Sequence, residues 1–149
     1  GTTAPELAGS HLDAVLGEPP VAGSAPQPDP GAPDRYRRLH AAIRTGLVAA
    51  CHDLSEGGLA VALAELCIAG RLGATVDALP HDDPATALFA ESVGRLVVEV
   101  APDDVERFLG TVGDATRLGT VTAEPVLVLP GVGAIAVADL ATAFLGGDA

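Results

Sequence analysis

Chemistry is densest at Cys51-His52-Asp53-Leu54-Ser55-Glu56-Gly57-Gly58-Leu59, which sets a thiol, an imidazole, two carboxylates, a hydroxyl and two glycines side by side. A nucleophile–base reading pairs Cys51 with His52. Neighbours on a strand point to opposite faces, however, so these two do not meet, and working triads are usually gathered from separate parts of a chain. A metal reading takes two or three ligands from His52, Asp53 and Glu56. Mg²⁺ accepts one or two carboxylates plus water and a substrate phosphate, so a second element such as Glu91 would have to approach. A phosphate reading has a physical basis in Ser55-Glu56-Gly57-Gly58, where glycines admit an anion to the backbone and a helix start offers free N–H groups. Glu56 opposes that reading by repulsion. The bland alternative is a turn, with Ser55 as helix N-cap, Glu56 at the positive helix end and Asp53 bonded to the turn backbone.

A second polar island is Phe89-Ala-Glu-Ser-Val-Gly-Arg-Leu-Val-Val-Glu-Val100. Glu91-Ser92 stands just before an apolar strand, so it is either a capped turn into a sheet or a loop whose Glu and Ser face a ligand. His11, His40 and His81 read as exposed or core-edge histidines. Asp82-Asp83 and Asp103-Asp104 read as helix starts. Cys51 and Cys67 lie in apolar surroundings, 16 positions apart, and read as buried free thiols rather than a disulfide or a zinc site.

The elements that must hold these groups follow from the periodicity. Ser10 can cap a short helix ending near Gly17. Residues 18–33 hold six of the twelve prolines and read as an extended connector. Asp34 to about Thr45 reads as a helix with Tyr36, Leu39, Ile43 and Leu47 on one stripe. Leu47–His52 suits a buried strand. Gly57–Ala69 is apolar nearly all round, as a buried helix is. Strands are expected at 74–76, 95–100, 118–121, 126–129 and 134–137, with helices at 83–90, 103–109 and 139–145. Helices and strands alternate, so the fold class is α/β or interleaved α+β, with one mixed sheet covered by helices. One domain over residues 1–149 is expected at this length.

The net charge is −12, and all eight basic residues are Arg. Without Lys there is no Walker-type lysine, no Schiff base and no Ser-Lys dyad. An acidic surface argues against nucleic acid or an anionic membrane as partner. No apolar run reaches the roughly 18 residues of a membrane span, and no signal peptide is visible, so a cytoplasmic location is expected. There is no Met, and the chain reads as a piece or processed product of something longer.

Residues 52–65, HDLSEGGLAVALAE, resemble a signature of the C-terminal half of phosphoribosylformylglycinamidine synthase. ELAGS at 6–10 resembles that family's Gly-Gly-Ser loop with Ala8 in place of the first Gly. FAESVGRLVVEV resembles its Phe-x-Glu-Ser-x-Gly-Arg segment. The resemblance implies the last domain of a duplicated enzyme, similar in fold to the C-terminal domain of aminoimidazole ribonucleotide synthetase, with its first strand lying before Gly1. It implies an ATP- and Mg²⁺-dependent ligase that makes formylglycinamidine ribonucleotide with glutamine-derived ammonia. The implied partners are the remaining domains, a glutaminase subunit and a small accessory subunit. An isolated domain is expected to be inactive, to need no cofactor, and to self-associate through its docking face. Val93 stands where the family's first half has Gln, which argues against direct substrate binding by this copy. Gly9, Ser10, His52, Asp53, Ser55, Gly57, Gly58, Glu91 and Ser92 are then the candidates beside a pseudo-symmetric nucleotide site, with no catalytic residue and no metal ligand among them. Other readings are a non-catalytic docking scaffold, or a relative of hydrogenase-maturation or selenophosphate-synthetase type.

Overall fold

The computed structural model describes residues 1–17 and 24–146, so the first part of the proline-rich connector lies outside the described residues. Helix α1 (His11–Leu16) begins at Ser10, whose Oγ accepts the Asp13 N–H, and ends at Gly17 in the left-handed conformation. The connector ends at Gly31 rather than residue 33, because Ala32-Pro33 open α2 (Ala32–Arg44), where the missing proline N–H is no loss. Strand β1 (Ala50–Asp53) leads into α3 (Gly58–Gly70), followed by β2 (Gly73–Val76), α4 (Pro84–Phe89) and β3 (Leu96–Glu99). A 3₁₀ turn at Pro102–Asp104 precedes α5 (Val105–Val112). Strands β4 (Gly119–Thr122), β5 (Val126–Leu129) and β6 (Gly133–Ala136) and helix α6 (Val137–Phe144) complete the order.

The mixed sheet is present, with strand order β4-β2-β5-β6. Its β2–β5 pair is parallel, and its other pairs are antiparallel. It does not take in every strand. β1 and β3 form a separate antiparallel ribbon in which His52 faces Val97 and Asp53 faces Leu96. Helix α3 joins the two sheets, touching β1 and β3 of the ribbon and β2 and β5 of the mixed sheet. Its Leu59, Ala62, Leu63 and Cys67 are buried at helical spacing, but Val61 is exposed, so the helix is not apolar-packed all round.

The main core gathers around α3, joined by Leu54, Val76, Leu88, Leu127 and Leu129. A smaller core lies beyond the ribbon, where Leu39, Ala42 and Leu47 meet Phe108 and Val112 of α5. The expected α2 stripe therefore holds only in part. Leu39 and Leu47 are buried, while Tyr36 and Ile43 are 45% and 44% exposed. Helix α2 packs on α5 through Leu39 and Ala42, and the small Ala42 turns the contact face away from the larger side chains. Arg35 and Arg38 fix that crossing, since both bond to Asp114 and Arg38 also donates to the Val112 carbonyl. No helix among the described residues is long and apolar enough to cross a membrane.

Candidate functional site

The site forms where three segments distant in sequence converge: residues 3–11, the turn after β1, and residues 90–95. Local sequence shapes each of them. The Gly9-Ser10 loop closes on itself, with Ser10 Oγ accepting from Asp13 N–H at 3.3 Å and Gly9 N–H donating to Asp13 Oδ2 at 3.1 Å. The turn after β1 is held by Leu54, which is buried and donates its N–H to the Arg95 carbonyl. Gly57 and Gly58 then take φ of +76° and +63°, a region that glycine enters without steric penalty. A Cβ on Gly58 would stand 2.7 Å from the Ala90 carbonyl oxygen and 2.8 Å from that of Leu88, so α3 begins against the end of α4 with no room for a side chain.

Glu91 joins the segments. Its Oε1 accepts the His11 N–H at 2.9 Å and the Gly57 N–H at 2.9 Å. One carboxylate oxygen thus serves the starts of α1 and α3 together. The His11 ring lies between acids, with Nδ1 3.5 Å from Glu91 Oε1 and Nε2 3.8 Å from Glu56 Oε2. Ser92 is buried, accepts the Ala4 N–H at 3.2 Å and donates to the Ala4 carbonyl at 3.4 Å. Arg95, 5% exposed, donates to the Thr3 hydroxyl at 2.9 Å and to the carbonyls of Ser92 and Ala90. Burial pushes the Arg95 guanidinium below its ordinary pKa, and nearby Glu6 acts in the opposite sense.

A cleft of about 390 Å³ opens beside this junction. Asp53 and Ser55 line it from the turn, Glu91, Val93 and Arg95 from the loop, and Tyr36 from α2. The structure therefore brings Asp53, Ser55 and Glu91 to one cleft, with Gly9, Ser10, Gly57 and Gly58 shaping its surroundings. It does not bring His52 there. His52 turns toward α3, with Nε2 3.0 Å from Glu65 Oε2 and Nδ1 2.7 Å from the Asp53 carbonyl oxygen. Ser92 serves residues 3–6, and its hydroxyl is fully engaged with Ala4.

Ser55 is not the N-cap of α3. Gly57 holds that position with no side-chain cap of its own, and the Glu91 carboxylate takes its N–H instead. Tyr36 and Arg95 were missed as site residues. A lone Arg opening an apolar strand was the visible signal for Arg95, whereas nothing local marks Tyr36.

The metal reading fails among the described residues, where no group of three or more His, Cys, Asp or Glu side chains could hold a metal ion. One Glu91 oxygen already accepts two backbone N–H groups, and the Asp53 and Glu56 side chains are 69% and 81% exposed. The buried-thiol expectation holds for Cys67 only, because Cys51 is exposed on the ribbon. Although the residue is exposed, partial desolvation of the Cys51 thiol, and then the Asp53 charge, push its pKa up, which is opposite to nucleophile activation.

An α/β domain with a glycine turn between a ribbon strand and a central helix is the class so defined. Residues 6–131 match the family described as AIR synthase related protein, C-terminal domain, and the chain belongs to that family. It is 44% identical over 111 residues to the phosphoribosylformylglycinamidine synthase subunit PurL of Methylocella silvestris, covering 70% of this chain and 15% of the relative. The chain thus spans about a seventh of the length of that relative. Among solved structures, T. maritima PurL complexed with FGAR superposes with a TM-score of 0.75 at 25% identity, covering 95% of this chain and 26% of that one. The same enzyme complexed with ATP gives 0.62 at 27% identity over 72% of this chain and 21% of that one. The resemblance carried by HDLSEGGLAVALAE and FAESVGRLVVEV is borne out. The hydrogenase maturation protein HypE, at 15% identity and a TM-score of 0.55 over 89% of this chain and 48% of that one, shares the fold alone.

Proposed function

We propose that residues 1–149 are the C-terminal domain of the second half of a formylglycinamide ribonucleotide amidating ligase that works in purine biosynthesis in the cytoplasm. The carrying observation is the 44% identity to a PurL subunit over 70% of the chain. In the parent, ATP drives replacement of an amide oxygen by nitrogen from glutamine-derived ammonia. The partners are the remaining domains of the ligase, a glutaminase subunit and a small accessory subunit.

The described residues offer Mg²⁺ no ready ligand set and leave a phosphate fewer free N–H groups at this turn. No metal-holding group exists among the described residues, and the N–H groups of His11 and Gly57 already bond Glu91. On this reading ATP and Mg²⁺ are held by other parts of the parent, and the isolated domain needs neither. Its own residues have two tasks. Asp53, Ser55 and Tyr36 form a polar wall with an aromatic edge along the cleft, while Glu91, Ser92 and Arg95 set that wall against residues 3–11. This division favours a domain that positions others over one that performs the bond-making step.

A chimera tests the reading. The last domain of an active PurL is replaced by this chain, and ATP-dependent formation of formylglycinamidine ribonucleotide is followed. Amidation is expected in the chimera and absent from the isolated chain, which also shows no heat of binding with ATP and Mg²⁺ in calorimetry. A folded chimera that consumes ATP without forming amidine sinks the assignment.

A further inference from the structure

We propose that the anion held at the N-terminus of α3 is the carboxylate of the chain's own Glu91. Glu91 is then a positioning residue that brackets the Gly9–His11 loop to the 55–58 turn, and free phosphate does not take its place. This goes beyond the functional assignment and stands whether or not the parent is that ligase.

The geometry is specific. A single oxygen receives two N–H groups, at 2.9 Å each, from segments 80 and 34 residues away in sequence. The carboxylate is 17% exposed and sits where the partial positive charge of a helix start favours an anion. Its position is set from both sides. Ala90 before it is fully buried and receives an Arg95 hydrogen bond on its carbonyl, and Ser92 after it is locked to the Ala4 backbone. Gly57 in the left-handed conformation aims its N–H at the carboxylate.

A phosphate has little to bind there. It would replace or adjoin a carboxylate that already satisfies both donors, and Glu56 stands across the His11 ring. Arg95 lines the same cleft but donates to Thr3, Ser92 and Ala90, so its charge is already committed. Around Glu91 the His11 ring lies 3.5 Å away with Glu56 on its far side, and the ionisable Asp53, Arg95 and Tyr36 line the same cleft.

The test is amide NMR on this chain, native and as Glu91→Gln and Glu91→Ala. The His11 and Gly57 amide resonances are expected to move together in Glu91→Gln, while amides remote from both loops stay in place. Exchange of both amides with solvent is expected to accelerate together by roughly tenfold or more in Glu91→Ala, the scale of a lost charge-assisted hydrogen bond, and to be partly rescued in Glu91→Gln, whose amide oxygen still accepts. Inorganic phosphate added to the native chain is expected to leave both resonances in place. The proposal is overturned if the two amides respond independently of each other, if Glu91→Gln leaves both resonances in place, or if phosphate moves both resonances. The Glu91→Gln spectrum alone decides the matter should Glu91→Ala not fold.

Discussion

At the scale of single residues, the site separates into groups that hold the chain together and groups that face the cleft. Ser10 is of the first kind. Its buried hydroxyl caps α1, so Ser10→Ala is expected to lower unfolding free energy by about 1 kcal/mol in urea titrations. Ser55 and Asp53 are of the second kind, exposed and unused as caps, so Ser55→Ala and Asp53→Ala should change stability by no more than about 0.5 kcal/mol in the same titrations. Cys51 supplies a chemical readout. Partial desolvation first, and then the Asp53 charge, disfavour its thiolate. Alkylation by iodoacetamide at mildly alkaline pH is therefore expected to be slow, and faster in Asp53→Asn; equal rates would remove Asp53 as a cause. The polar islands around Cys51 and Glu91 were readable as candidates because their composition departs from the apolar chain about them. The role of Glu91 was not readable, because both its partners are backbone groups from distant segments and backbone groups carry no residue signature. Ser55 was misjudged for a related reason. A Ser just before an apolar helix predicts a cap, but two left-handed glycines intervene and carry the helix start beyond its reach.

At the scale of elements, the start of α3 is the demanding place. Gly58→Ala would force a side chain against the backbone carbonyls of Leu88 and Ala90, which cannot retreat without moving the end of α4. Gly57→Ala meets mainly the side chain of exposed Val61, which has solvent to move into. Both are expected to destabilise, each by roughly 1–3 kcal/mol for the left-handed backbone alone, with Gly58→Ala the worse of the two in urea titrations. Equal losses would mean that α4 yields as easily as Val61 does. Element positions were legible because their signals are local: Ser10 before α1, Asp83-Pro84 at the start of α4, and the β-branched-rich run in β3. The buried face of α2 was not. Its stripe of large apolar residues gave one answer, and contact with α5 through Leu39 and the small Ala42 gave another, since packing distance depends on a partner some 70 positions away in the chain.

At the scale of the whole molecule, charge and topology decide how the parts stay joined. Hydrogen bonds from Arg35 hold the Asp29 carboxyl below the ordinary aspartate range. At Asp114 burial pushes upward, but bonds from Arg35 and Arg38 outweigh it and the net shift is also downward. A carboxyl with a lowered folded pKa contributes stability that is complete above its unfolded value, about 3.9, and that is lost as pH falls through the folded value. The thermal midpoint is therefore expected to drop as pH is lowered from neutral to below about 4, and Arg35→Gln should flatten that acid limb. An unchanged limb in Arg35→Gln would assign acid sensitivity to other groups. The alternation of helices and strands revealed the fold class, but not the division into a sheet and a ribbon, because strand pairing depends on how α3 comes to join them. The Glu91 bracket also has a consequence in time. Its bond to Gly57 spans 34 residues and is more local than the ribbon pairing, but its bond to His11 closes a loop of 80 residues, a closure that costs more chain entropy than those of the ribbon. The docking of the loop carrying Gly9 and Ser10 is in this sense expected to come late in folding, after Glu91 has met the turn at Gly57.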